Sequence, residues 1–428
     1  MNKLNILLLC HSPKYNANAI NDHIDAFVNY SNHNIYRLSS LGVLPKFFEL
    51  DNYDAIIIHY SCTVLSDFYL NKKSKERIRN YKGLKVLLAQ DEYRLVDKFI
   101  ETVNYLKIDV LFTCYPEPEI EKVYPEARLP NVRKVNNLTG YVPERLLSIN
   151  KPKIRDRSVH VGYRARKVPF SLGFLGKEKW DIVDKFSVEA KGKGVLCDIS
   201  YREQDRIYGQ KWINFLLNCK STLGVESGAS IIDFTGELHE TVEQYMKRMP
   251  KATFEEVHKL FLEKHEGKIK MNQVSPRVFE AAALKTVMVL YEGEYSNVLK
   301  PWLHYIPLKK DFSNIDQVLD YLKDDEKLQK MADQTFDEIA LNNDCSFRSF
   351  ISKFDNVVSE EFSKRNKTRT LNTMSRLRFK FYSKAVRFCN ILNPVMLWNS
   401  TPNSLQKYLM PVLKPIYHRL LRKWKSPK

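Results

Sequence analysis

Asn272-Gln273-Val274-Ser275-Pro276-Arg277-Val278-Phe279-Glu280-Ala281-Ala282-Ala283-Leu284-Lys285-Thr286-Val287-Met288-Val289-Leu290-Tyr291-Glu292 reads as a helix followed by a strand. Ser275 suits the N-cap and Pro276 the first helical position, where its missing N–H would be unpaired in any case. The alanine-rich run carries the helix to about Leu284 and Lys285. The β-branched apolar run that follows suits a buried parallel strand. Free N–H groups at the helix start, the helix dipole and Arg277 all place positive charge together, which favours phosphate. Glu280, one turn in, could accept hydrogen bonds from sugar hydroxyls.

Residues 1–145 repeat the strand and helix alternation. Strands are expected at Leu4 to Cys10, Asn34 to Leu38, Tyr53 to His59, Leu84 to Ala89 and Ile108 to Cys114, with helices at Ala19 to Tyr30 and Val96 to Leu106. Such alternation implies a parallel, doubly wound sheet with its ligands at the carboxyl ends of the strands. The polar residues after those strands are therefore the candidates. They are His11, Ser12, Lys14, Tyr15 and Asn16 after the first, His59, Tyr60 and Ser61 after the third, and Gln90 to Arg94 after the fourth. No Gly-x-Gly-x-x-Gly occurs there, which argues against a dinucleotide site. Asp91 and Glu92 are candidates for a general base or an acceptor-hydroxyl contact, with His11 beside them. A helix N-terminal turn carrying favourable acids, and satisfied structural histidines at positions 11 and 59, fit the same residues.

Turn residues and a basic cluster over 139–157 mark an interdomain linker. A second α/β unit begins at Ser158 to Val161 and runs into Gly162-Tyr163-Arg164-Ala165-Arg166-Lys167. Cations on a loop at a strand end suit a diphosphate. A solvated basic loop is the alternative. Gly194 to Ile199 is a further strand and Tyr208 to Cys219 a helix with Trp212, Phe215 and Leu216 on one side. A strand then breaks into Ser227-Gly228-Ala229-Ser230, small residues that let backbone approach a ligand, or that simply connect.

The 272–292 stretch resembles the donor-binding segment of GT-B glycosyltransferases of the group 1 kind. In that family two glutamates stand eight positions apart. The second falls on Glu280, which the resemblance makes the ligand of the donor ribose, while the first position holds Asn272. An amphipathic helix with Glu280 solvated on its outer face is the other reading. The resemblance implies two Rossmann-like domains facing a cleft, at 1–145 and 158–345, joined by a linker at 146–157. A return helix at 346–363 would follow, from the apolar stripe Phe347, Phe350, Ile351, Phe354, Val357 and Val358. It implies donor contacts from Ser275, Arg277, Glu280, Ser227, Gly228, Arg164, Arg166 and Lys177 or Lys179, and catalytic roles for Asp91, Glu92 and His11. The implied activity is transfer of a sugar from a nucleotide-sugar donor to a glycan or lipid-linked glycan acceptor, in cell-surface polysaccharide biosynthesis. No cofactor is implied, the nucleotide-sugar being a substrate. A sugar-nucleotide epimerase or hydrolase of similar fold, and a non-enzymatic basic adaptor or nucleic-acid binder, are the alternatives.

Composition bounds these readings. A chain of 428 residues accommodates two α/β domains at about 150 residues each. The formal charge of +18 is concentrated: 16 of the 68 Lys/Arg and none of the 50 Asp/Glu lie after residue 361, leaving 52 cations against 50 anions before it. Over 364–428 apolar residues such as Met374, Leu377, Phe381 and Ala385 recur at helical spacing between arginines and lysines, and Val412 to Trp424 repeats the pattern. A basic amphipathic helical tail suits an anionic membrane surface, each cation adding about 1 kcal/mol. The expectation is a cytoplasmic protein, peripheral to the inner membrane face, with no nucleic-acid partner. Seven scattered cysteines without a Cys-x-x-Cys pair, the short apolar run Ile6 to Cys10, and no 20-residue apolar stretch agree with that placement. No Asp-x-Asp and no metal-ligand spacing occur, so a metal-independent reaction is expected.

Overall fold

The computed structural model describes residues 3–12, 18–39, 42–44, 48–365, 377, 379–381 and 383–384. Lys14, Tyr15 and Asn16 and most of the amphipathic tail lie outside the described residues. The first sheet holds β1 (Asn5–Cys10), β2 (Asn34–Ser39), β3 (Ala55–Ile58), β4 (Leu84–Leu88), β5 (Val110–Thr113) and β6 (Arg133–Asn136), in the order β2-β1-β3-β4-β5-β6. The second holds β7 (Val159–Arg164), β8 (Cys197–Ser200), β9 (Cys219–Gly224), β10 (Val287–Tyr291) and β11 (Ile306–Leu308), in the order β11-β10-β9-β7-β8. Every pairing is parallel. This is the α/β architecture of two Rossmann-like domains that the strand and helix alternation predicts.

The central strands are apolar throughout because both faces are covered. Alternation sends Leu7, Leu9, Ile56 and Ile58 into one core and Ile6, Leu8, Ala55 and Ile57 into the other. That second core is closed by the helix Phe347–Ser363, whose Phe347, Phe350, Ile351, Phe354, Val357 and Val358 pack on the first sheet rather than the second. Phe354 meets Phe27 edge-on at 4.9 Å, and Asp355 accepts from Ser31 Oγ at 2.8 Å and Asn32 N at 2.7 Å.

Several elements depart from the sequence reading. The strand expected at Ser158 to Val161 runs on to Arg164, so Arg164 lies within β7 and not on a loop. β6 was hidden because it is an edge strand carrying Arg133, Lys134 and Asn136, and β11 because it is three residues long. The helix Gly173–Glu189 carries no strong apolar stripe, and the stripe Leu238, Val242, Tyr245 and Met246 of the helix Glu237–Arg248 is confined to a small core of its own. Among the described tail residues, Phe379 packs on Tyr36 at 5.2 Å and Leu377 and Phe381 are exposed. No described helix is long and apolar enough to cross a membrane, and the six described cysteines are free.

Backbone pairing ties the two halves together. Asp233 N donates to Tyr93 O at 2.8 Å, Leu95 N to Asp233 O at 2.8 Å and Asp97 N to Phe234 O at 3.0 Å. The loop before the central helix is held from both sides, Gln273 Nε2 donating to Cys114 O and Thr139 Oγ1 to Val274 O. Gly140 is required there: a Cβ would stand 2.9 Å from Pro276 Cβ.

Phe354→Ala should lower unfolding stability by about 3–5 kcal/mol in urea titration, the range for a buried phenylalanine that leaves a cavity. The same truncation at exposed Val188 should stay within about 0.5 kcal/mol.

Candidate active site

Ser275 caps the helix Pro276–Ala283, its Oγ accepting from Arg277 N at 3.4 Å. This helix start forms one wall of a cavity of about 300 Å³ at the carboxyl ends of β7 and β9. That is where the strand order of the second sheet reverses, the place such sheets bind ligands. Tyr163, Arg164 and Arg166 form the facing wall, and Lys179 enters from the helix Gly173–Glu189. Lys179 Nζ has a weak contact with Gly228 O at 3.5 Å. Burial holds its ammonium below the ordinary lysine range, Arg166 and Arg277 push it further down, and Asp91 opposes them. Ile207, Tyr208 and Trp212 make an apolar slot beside the cations, with the Arg277 guanidinium 5.1 Å from the Trp212 ring. Clustered cations next to an aromatic slot can hold a nucleoside diphosphate.

A second cavity, of about 670 Å³, opens at the carboxyl ends of the first sheet. His11, Ser61, Tyr69 and Gln90 line it from the first domain, and Ser171 and His239 from the second. The two cavities share a wall made of Asp91, Tyr93, Arg166 and Leu172. Asp91 follows β4 with φ +58°, a left-handed conformation uncommon outside glycine. Protein surrounds its accessible carboxylate: desolvation raises its pKa, while Lys179 and Arg166 draw it down. Desolvation lowers His11 to about 4, so its imidazole is neutral at pH 7. A carboxylate and a neutral imidazole stand here as proton acceptors.

The structure brings together His11, Asp91, Arg164, Arg166, Ser227, Ser275 and Arg277 on these two cavities. Arg164 is already engaged there, and Lys177, Glu92, Gly228 and Glu280 are placed differently. Arg164 lines the first cavity, but its guanidinium is engaged by Asp198 at 2.7 Å, Asp205 O at 3.0 Å and the Phe215 ring at 4.5 Å. Lys177 pairs with Glu255 at 2.5 Å and faces away; Lys179, two residues on and about 200° around the helix, takes the cavity position. Glu92 is turned into the first domain, accepting from Thr113 Oγ1 at 2.7 Å, Cys114 N at 2.9 Å and Tyr124 OH at 2.6 Å. Gly228 sits behind the wall at φ +103°, where a Cβ would collide with Met271 O.

Glu280 is 5% exposed, not solvated on an outer face, and accepts from Trp212 Nε1 at 2.8 Å. Burial raises its pKa, with Trp212 and Arg277 opposing. It meets the first cavity through the Trp212 ring. Asn272 donates to Glu226 Oε2 at 2.5 Å, and Glu226 also accepts from Glu294 N and Tyr295 N. The buried carboxylate near the first glutamate position thus comes from Glu226, inside the Leu223–Ser230 stretch but not singled out from sequence. His59 is fully buried against His23 at 2.9 Å and acts within the core. Tyr93 and Arg94 fall within the Gln90 to Arg94 candidates, whereas Tyr208 and His239 were missed because they belong to cavity walls assembled from distant segments.

This arrangement is the GT-B fold, two Rossmann-like domains with a cleft between them. No family model matches the chain, and no curated protein matches it. An alpha-glucosyltransferase in complex with UDP-glucose and DNA containing an abasic site superposes with a TM-score of 0.51 at 12% identity, over 84% of this chain and 100% of its own. The alpha-glucosyltransferase in complex with UDP and a 13-mer DNA containing an HMU base gives 0.51 at 13% identity, over 84% and 100%. T4 phage BGT in complex with UDP-glucose gives 0.45 at 11% identity, over 86% and 99%, too low a score to carry weight. At these identities the likeness shows the fold alone.

Glu92 supplies a pH test. Desolvation raises its carboxyl from 4.5 to about 7, against the hydrogen bonds from Tyr124, Cys114 and Thr113. A folded state that holds this proton more tightly than the unfolded chain loses stability as pH rises through that window. Relative to Glu92→Gln, the native protein should lose up to about 3 kcal/mol between pH 4.5 and 7, at 1.36 kcal/mol per unit, in denaturant titrations across that range.

Proposed function

We propose that the protein is a glycosyltransferase that binds a nucleotide-sugar in the smaller cavity and an acceptor hydroxyl in the larger one. The observation that carries this reading is the convergence of Arg166, Lys179 and Arg277 on an aromatic-lined cavity that shares a wall with the larger one at Asp91. In the reaction the acceptor oxygen bonds to the anomeric carbon, the bond from that carbon to the diphosphate oxygen breaks, and its electron pair leaves with the nucleoside diphosphate. The acceptor proton passes to Asp91, with His11 as the neighbouring acceptor. Arg166, Lys179 and Arg277 neutralise the charge that develops on the diphosphate without a metal. Ser275 and Ser227 contact the donor, and Glu280 positions Trp212 against it.

The acceptor in this reading is a glycan or lipid-linked glycan of cell-surface polysaccharide synthesis, met at the inner membrane face through residues 364–428. Exposed Leu377 and Phe381 beside exposed Lys380 and Lys384 support that surface. A protein truncated after residue 361 should no longer sediment with anionic vesicles, and continued sedimentation would contradict the membrane role. DNA is the second reading of the acceptor, favoured by the DNA complexes of the structural neighbours. The expectation of no nucleic-acid partner therefore has no support.

A thermal-shift panel of UDP-, GDP-, ADP- and CMP-sugars should raise the melting temperature with one base class by mass action. Lys179→Ala should weaken that ligand about 10- to 100-fold, the range for a charge-assisted contact, and Glu280→Gln should weaken it less. EDTA should leave the shift and the turnover unchanged. Asp91→Asn should keep the donor shift and lower kcat by about 10²–10⁴-fold. No shift with any donor would overturn the reading in favour of the basic adaptor.

A further inference from the structure

The larger cavity carries a cation, Arg94, that glycosyl transfer to a neutral hydroxyl does not use, beside Arg166 on the wall it shares with the smaller cavity. Arg94, on the loop after β4, and Arg166, on the segment after β7, enter it from different domains. Neither guanidinium has a salt bridge or a side-chain hydrogen bond among the described residues, whereas Arg128 pairs with Asp97 at 2.6 Å and Arg145 with Asp22 at 2.7 Å. The carboxylates nearby do not supply the missing partners. Asp233 is taken up at the start of the helix Glu237–Arg248, Oδ1 accepting from Gly236 N and Oδ2 from His239 N, each at 2.8 Å. Asp91 already faces Lys179 as well as Arg166.

His239 adds a third group to the same wall. Its Nδ1 lies 2.8 Å from Ser171 Oγ. With the serine hydroxyl donating to Nδ1, the ring proton sits on Nε2, where an anion can accept it. Burial depresses His239 and the charge of Arg94 depresses it further, while Glu243 and Asp233 oppose them, so the ring stands close to Arg94 in the same wall.

We propose that the larger cavity takes an acceptor bearing a phosphate, a sugar phosphate or polyol phosphate, with Arg94 and His239 on the phosphate and the acceptor hydroxyl turned toward Asp91. Arg166, on the shared wall, spans the acceptor phosphate and the donor diphosphate. Donors from three separate segments suit a tetrahedral oxyanion better than a planar carboxylate, and the guanidinium fork matches phosphate oxygens in pairs. The assignment rests on the glycosyltransferase reading for the word acceptor, but the phosphate subsite is testable without it.

Calorimetric titration of the full chain with glucose 6-phosphate, glucose, glucuronate and a DNA duplex measures the subsite directly, with UDP-, GDP- and ADP-sugar binding measured in parallel. Glucose 6-phosphate should bind at least tenfold more tightly than glucose or glucuronate. Arg94→Ala should remove that preference, Arg94→Lys should restore part of it, and Lys323→Ala, an equal charge change at a residue lining neither cavity, should leave it intact. Nucleotide-sugar binding should be unchanged in Arg94→Ala. Equal binding of glucose and glucose 6-phosphate, a preference for glucuronate, tight binding of DNA alone, or a phosphate preference that survives Arg94→Ala would each overturn the proposal. Failure of every nucleotide-sugar to bind, with the phosphate preference intact, would overturn the glycosyltransferase reading and leave the phosphate site standing.

Discussion

Like charges held together in a partly desolvated cavity cost free energy, and the site is built around that cost. Arg166, Lys179 and Arg277 converge at the head of the second sheet, with Asp91 as the one carboxylate among the described residues lining their cavity. At an effective dielectric near 20, unit charges 4 Å apart interact by about 4 kcal/mol, so the unliganded cleft opposes its own assembly. The packing that keeps the cluster in place must therefore come from elsewhere. Ser275 fixes the start of the helix that carries Arg277, the Trp212 and Tyr163 rings flank its guanidinium, and the 17-residue helix Gly173–Glu189 delivers Lys179 from the side. An anionic ligand converts the repulsion into binding energy, which is why clusters of this kind mark function more often than stability.

The loop Gln273–Pro276 connects that electrostatic arrangement to the geometry of the cleft. It belongs by sequence to the second domain, yet Cys114 O and Thr139 Oγ1 of the first hold it. The pairing of Tyr93, Leu95 and Asp97 with Asp233 and Phe234 adds a short interdomain ladder directly beside Asp91 and Arg94. Residues of the two cavities are thereby fixed relative to one another by hydrogen bonds to backbone groups rather than by exposed ion pairs. Reaction geometry demands that kind of positioning, since small displacements of the reacting groups are costly.

What could be read from the sequence divides along physical lines. Buried parallel strands such as Leu4 to Cys10 and the 272–292 helix and strand declare themselves through continuous apolar runs and a Ser-Pro start, because local patterning and burial agree there. The polar edge strand β6 and the weakly striped helix Gly173–Glu189 do not, because tertiary contacts and not local pattern decide them. Without that helix its phase is unknown, and Lys177 and Lys179 cannot be told apart. Asp91 and Glu92 show the same limit at one-residue scale: adjacent carboxylates leave the strand on opposite sides, one into the cleft and one onto Thr113 and Tyr124. The sequence left Glu280 between a ligand for sugar hydroxyls and a solvated outer face, because its actual partner Trp212 comes from a segment 68 residues away. Arg94 and His239 meet only because the domains close over one another.

The account stands on the position of the diphosphate. A crystal structure of the full chain with the nucleoside diphosphate whose sugar gives the largest thermal shift tests it most directly. The account predicts phosphate density between Arg166, Lys179 and Arg277, the base against Tyr208 and Trp212, and an open path from the outer phosphate to Asp91. Phosphate bound at any other place, or a base turned away from that aromatic slot with Lys179 still uncontacted, would contradict it.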